Sequence, residues 1–173
     1  MYPTKYTNLS KGSFLQIEPE KLKNAALILF IPKDGYHDNK ESYPEGYIPT
    51  LKEHAKHAKD VLYIEAEDVG INWGDNFIKP KVRHFHEIDS FLKKNAANPI
   101  LAICDAGVSR SGFVSFYLDV KNDNLDHVEF CPYLDDIHFS RGRKYGTFYH
   151  TNPALTKYMM DSRLLTHSER KAL

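Results

Sequence analysis

Four apolar runs punctuate an otherwise polar chain. Residues 25–31 read Ala-Ala-Leu-Ile-Leu-Phe-Ile and stop at Pro32. A continuous run of that length, without alternation, predicts a strand buried on both faces. Residues 61–66 (Val-Leu-Tyr-Ile-Glu-Ala) and 100–103 (Ile-Leu-Ala-Ile) predict two more strands, and residues 14–17 a short edge strand closed by Pro19. Between the runs the period changes. Val82, Phe85, Ile88 and Leu92 form one stripe of residues 79–95, while Lys81, Arg83, Glu87, Asp89 and Lys93 lie elsewhere. This is the pattern of an amphipathic helix, with Pro80 in its first turn.

Other stretches are read the same way. Residues 50–59 predict a short polar helix with Leu51, Ala55 and Ala58 on one side. Phe113, Val114, Phe116, Tyr117, Leu118 and Val120 predict a helix directly behind the strand at 100–103. Residues 126–137 read as a short helix interrupted by Pro132, and residues 139–145 as a glycine-containing loop with Arg141, Arg143 and Lys144. Thr151 or Asn152 followed by Pro153 opens the last helix, at 154–165. Residues 33–49 collect Gly35, Asp38, Asn39, Pro44, Gly46 and Pro49, a loop of a length that is uncommon unless it is functional or mobile. The ends, 1–12 and 166–173, read as loose.

Strands alternating with helices imply βαβ units. The expectation is a single α/β domain over residues 1–173, with a mostly parallel central sheet of about four strands flanked by helices. Ligands of such sheets sit beyond the carboxyl ends of the strands, where Cys104 and Asp68 would both emerge.

Composition narrows the function classes. Lys plus Arg and Asp plus Glu are equal at 23 each, so no overall field recommends a nucleic acid or a membrane surface. The two cysteines, Cys104 and Cys131, make no disulfide framework. A reducing compartment fits, and with no signal-like or membrane-spanning run the expected location is cytoplasmic. His54 with His57, and His84 with His86, have no carboxylate or cysteine partner at recognisable ligand spacing. No metal and no cofactor is expected.

The chemistry concentrates in Cys104-Asp105-Ala106-Gly107-Val108-Ser109-Arg110-Ser111, between a buried strand and a helix. A loop curled there turns the N–H groups of Asp105, Ala106, Gly107, Val108 and Ser109 inward as a nest for phosphate oxygens. The unpaired first-turn amides and the helix dipole add partial positive charge. Arg110 adds a planar fork of donors that grips two oxygens at once. Cys104 at the rim of that field is placed to react as a thiolate nucleophile aimed at phosphorus. The Asp105 carboxylate is expected to point outward, because beside a bound anion it would oppose binding.

This octapeptide resembles the signature loop of the cysteine-dependent protein tyrosine phosphatase superfamily, and most of all its dual-specificity group. The stretch from Phe148 to Tyr158 is similar to small phosphatase-like proteins of bacteria and their phages. The signature match spans about a dozen residues; from about residue 25 to 158 the likeness is one of element order. The family has His immediately before the cysteine, where this chain has Ile103.

The resemblance implies a phosphoprotein phosphatase acting on phosphotyrosine, and on phosphoserine or phosphothreonine if the cleft is shallow, through a cysteinyl-phosphate intermediate. Its catalytic residues would be Cys104, Arg110, Asp68 and Ser111, with residues 105–110 binding phosphate. Ser111 would hydrogen-bond the thiolate and ease its departure. The general acid comes, in that family, from the loop after the third strand. Asp68 directly follows the strand and is preferred; Asp75, in Trp73-Gly74-Asp75, is the other candidate. Partners would be phosphorylated proteins or other phosphomonoesters. A phosphate-binding pseudophosphatase that recognises phosphorylated partners without turnover is the alternative.

Overall fold

The computed structural model describes residues 1–32, 46–67, 78–124, 128–131, 138–142 and 147–172. A four-stranded, all-parallel sheet is built from β1 (Tyr6–Ser10), β2 (Ala26–Ile31), β3 (Asp60–Glu65) and β4 (Ile100–Cys104), in the order β1-β4-β2-β3. Helices α1 (Lys11–Leu15), α2 (Pro19–Leu22) and α3 (Tyr47–Ala55) come from the first half of the chain. Helices α4 (Val82–Lys94), α5 (Ser109–Lys121), α6 (Pro153–Asp161) and α7 (His167–Ala172) come from the second. This is an α/β fold, as the alternation of apolar runs implied.

β2 shows why the continuous run forms a central strand. All six residues are buried. Ala26, Ile28 and Phe30 face one core with Phe85, Ile88, Leu92, Phe113 and Phe116, whereas Leu27, Leu29 and Ile31 face a second core with Phe14, Leu22 and Leu51. Successive strand side chains point to opposite faces, so a strand covered on both sides must be apolar throughout. The registers set Ser10 level with Cys104 and Leu29 level with Ile103. The carboxyl ends of β1, β2 and β4 therefore open on one edge.

The amino-terminal segment overturns two expectations. Residues 6–10 are not a loose end but β1, paired along its whole length with β4. Residues 14–17 do not make an edge strand; Lys11–Leu15 is a helical turn capped by Ser10, whose Oγ accepts from Ser13 N at 3.0 Å. The reason is polar stitching. Ser115 Oγ donates to Asn8 Oδ1 at 2.6 Å, Asn122 Nδ2 donates to the Pro3 carbonyl at 2.8 Å, and Tyr6 donates its hydroxyl hydrogen to Asp119. Tyr2 and Tyr117 donate to one buried oxygen of Asp89 at 2.5 and 2.6 Å. Burial opposes ionisation of Asp89, but hydrogen bonds from Lys93, Tyr117 and Tyr2 outweigh it and hold the carboxyl below its usual range.

The carboxyl-terminal third also departs from the reading. β5 (Val128–Cys131), β6 (His138–Gly142) and β7 (Thr147–Thr151) form a second, antiparallel sheet. Val128–Cys131 is therefore strand where a helix was expected over 126–137, and residues 139–142 of the loop expected over 139–145 belong to strand β6. β7 lies along α5. Residues 166–173 are not a loose tail as far as they are described: His167–Ala172 is α7, and its Glu169 pairs with Lys121 at 3.0 Å. Val82, expected on the buried stripe of α4, is 50% exposed, and His84 and Asp89 are buried instead. No helix among the described residues is long and apolar enough to cross a membrane.

His84 gives the fold a pH dependence. Its Nδ1 accepts the Lys81 backbone N–H at 3.2 Å, closing the first turn of α4. Burial first, then the positive charges of Arg83 and Lys81, push its pKa from 6.5 down to about 4. The unfolded chain binds this proton more readily, so the stabilisation is complete above about pH 6.5 and is lost as pH falls toward about 4. Between about pH 7 and 5 the loss should be at most about 2 kcal/mol. Urea unfolding of wild type and His84→Gln at both pH values checks this. Equal pH slopes in the two proteins would refute it.

Candidate functional site

The strand-to-helix junction has the expected local order. Cys104 is the last residue of β4, residues 105–108 form the turn, and α5 begins at Ser109. Gly107 takes φ +73°, the left-handed region open to glycine. A Cβ there would lie 2.6 Å from Ser10 N and 2.7 Å from Leu9 C. The turn thus rests directly on the end of β1. No side chain caps the α5 N-terminus at Val108. The N–H of Asn152 donates to the Ser109 carbonyl at 3.2 Å, fastening the β7–α6 junction to the first residue of α5.

Around this turn the structure gathers most of the residues singled out from sequence. Cys104 is 1% exposed, and its Sγ lies 3.1 Å from Ser111 Oγ. The hydroxyl is therefore in place to donate to a thiolate. Arg110 is 2% exposed; its Nη1 donates to the Ala66 carbonyl at 2.7 Å and its Nη2 to Asp105 Oδ2. Ala106 and Val108 are exposed at the rim, and Gly107 and Ser109 are half-buried.

One expectation is corrected. The Asp105 carboxylate does not point away from the site. Oδ2 accepts from Arg110 and Oδ1 accepts from Lys11 Nζ at 2.5 Å. Two buried cations draw in the adjacent carboxylate, and paired charges held by hydrogen bonds are the form in which burial is tolerated. The Asp105 side chain is nevertheless 43% exposed, against 2% for each cation.

Sequence reasoning missed Lys11. It sits in a polar stretch with no motif around it, and only the strand ending at Ser10 brings it to the turn. Burial lowers its pKa, and the Arg110 charge adds to that; the attractions to Asp105 and Cys104 oppose it. Tyr47, at the start of α3, was also missed. Burial, then the Asp105 charge, raises its pKa, which puts the ring within the carboxylate's field.

Asp68, Asp75 and Trp73 lie outside the described residues, as do residues 33–45 of the expected long loop. The ends flanking residues 68–77 are tied together. Glu67 N donates to the Ile78 carbonyl at 2.8 Å, and Ile78 N donates to Glu67 Oε2 at 2.7 Å. Since Ala66 holds Arg110, this tie stands beside the turn. The paired histidines show different fates. His84 serves the α4 cap, while His54 packs edge-on against Phe14 and His57.

Chemically, the arrangement offers a thiol, a hydroxyl to stabilise its anion, and two buried cations, next to a helix N-terminus. No protein-family model, curated protein or solved structure matches the chain, so the site's own chemistry carries the functional reading.

Proposed function

We propose that the protein is a metal-independent phosphomonoester hydrolase of the cysteine-dependent tyrosine phosphatase type, acting on phosphorylated proteins. The observation that carries this reading is the Sγ–Oγ distance of 3.1 Å between Cys104, at the end of β4, and Ser111, in the first turn of α5 beside Arg110. A hydroxyl so placed can donate to the sulfur, and a sulfur beside a helix N-terminus and an arginine faces where an anion would bind. In this reading residues 105–110 form the phosphate-binding loop.

The reaction has two steps. The Cys104 thiolate attacks phosphorus; the S–P bond forms, the P–O bond to the leaving group breaks, and a carboxylic acid protonates the departing oxygen. Water then attacks phosphorus, the S–P bond breaks with its electron pair returning to sulfur, and the carboxylate takes the water's proton. Ser111 donates to the sulfur as it leaves. Asp68 is the preferred acid, because it follows by two residues the Ala66 carbonyl that holds Arg110; Asp75 is the other. A nucleophilic thiol must stay reduced, which favours a cytoplasmic setting.

The test is hydrolysis of an aryl phosphate by wild type with chelator present, from about pH 5 to 8. Activity must survive the chelator and must depend on Cys104. Of Asp68→Ala and Asp75→Ala, the variant lacking the acid should lose about 10²–10⁴-fold in turnover while the other stays close to wild type. Wild type that is folded and binds inorganic phosphate yet hydrolyses nothing would replace the hydrolase with the pseudophosphatase reading.

A further inference from the structure

The site contains a second cation for which the hydrolase reading has no role. Lys11 follows β1 directly, and its neighbour Ser10 is level with Cys104. Its ammonium is almost wholly buried and donates to Oδ1 of Asp105, while Oδ2 of the same carboxylate accepts from Arg110. One half-exposed carboxylate thus closes over two buried cations, with one oxygen on each.

That arrangement costs energy if it is only a brace. Removing an ammonium and a guanidinium from water carries a penalty of several kcal/mol for each ion, repaid only by well-placed anionic oxygens. A hydrophobic contact between β1 and the turn would fasten the two more cheaply. The exposed member is the carboxylate, so it can rotate toward water while the cations stay in place. Two oxygens on one centre, held by an arginine and a lysine, also reproduce how a phosphoryl group is held.

We propose that Lys11 is a second phosphoryl-binding cation of the site, and that the Asp105 oxygens mark the positions two phosphoryl oxygens take when that carboxylate swings out. The inference rests on the anion-binding half of the proposed function and not on turnover. Lys11 binds one oxygen as a point charge, Arg110 grips as a fork, and Asp105 competes with the ligand for both. Asp105 therefore weakens anion binding, and Lys11 strengthens it.

Inorganic phosphate binding to the full chain, by calorimetry at fixed ionic strength, tests this. Lys11→Met should weaken binding about 10–100-fold, the worth of one hydrogen bond to a charged group. Lys11→Arg should recover most of that loss. Asp105→Asn should tighten binding about fivefold or more, the opposite sign to the loss of a structural brace. Lys11→Met that unfolds at wild-type urea concentrations and binds phosphate like wild type would overturn the assignment. If Lys11→Met does not fold, Asp105→Asn decides alone: tighter binding upholds the inference and weaker binding overturns it. The two readings fail separately. Hydrolysis by wild type with no effect at Lys11 and Asp105 removes only this inference; the stated binding order without hydrolysis removes only the hydrolase.

Discussion

Cys104→Ser should lower aryl phosphate hydrolysis by at least about 10⁴-fold, to the level of the buffer, while the protein still binds phosphate. The substitution changes one atom in a side chain that is 1% exposed, so neither packing nor the turn need move. What changes is ionisation. A serine hydroxyl does not give up its proton at neutral pH, and neither the helix N-terminus nor the hydroxyl of Ser111 supplies a base to take it. The backbone donors of residues 105–109 and the side chains of Arg110 and Lys11 are untouched, so anion binding should remain within a few-fold of wild type. Initial rates with and without chelator, beside tungstate binding, read both halves. A serine variant that keeps even about a hundredth of the activity would mean that Cys104 is not the nucleophile.

The same residue shows how much of the molecule is legible in sequence. β2, β3 and β4 are readable because each has an uninterrupted apolar core flanked by breakers, and α5 because Phe113, Phe116, Tyr117 and Val120 must all be covered. The Cys104 turn is readable because its residues are local: cysteine, glycine, arginine and serine occupy one octapeptide. β1 is not. Tyr6-Thr7-Asn8-Leu9-Ser10 has one aliphatic residue, and its place on the sheet edge is fixed by hydrogen bonds with α5, one received from Ser115 and one given to Asp119, that no periodicity encodes. The parts of the site that depend on β1 were therefore invisible as well. Lys11 acquires its meaning only when Ser10 is set against Cys104. Asp105 was misread partly for the same reason, since one of the two cations that hold its carboxylate, Lys11, stands on the far side of the sequence at the end of β1. The antiparallel sheet failed differently. Its strands Val128–Cys131 and His138–Gly142 are only four and five residues long, and Pro132 between them is a turn residue, so neither offers a run long enough to set a period.

The dependence of the turn on β1 has a sharp consequence at Gly107. Gly107→Ala should destabilise the protein by about 2–5 kcal/mol and weaken phosphate binding by about tenfold or more. Two separate costs combine. An alanine at φ +73° pays about 1–2 kcal/mol for the left-handed backbone alone. Its Cβ would in addition stand 2.6 Å from Ser10 N, 2.7 Å from Leu9 C and 3.1 Å from Leu9 O. These are backbone atoms of a strand paired with β4, so they cannot step aside as a side-chain tip would. Either β1 leaves its register with Cys104 or the turn lifts from the strand end, and both disturb Lys11, Asp105 and the amides together. Gly46 separates the two costs. It also has a positive φ, +83°, yet a Cβ there meets nothing within 4 Å. Gly46→Ala should therefore show the backbone cost alone, about 1–2 kcal/mol, with phosphate binding unchanged. Urea unfolding and calorimetric titration of both variants make the comparison. Equal losses at the two glycines would mean that the turn does not lean on β1, and that Lys11 does not owe its place in the site to that contact.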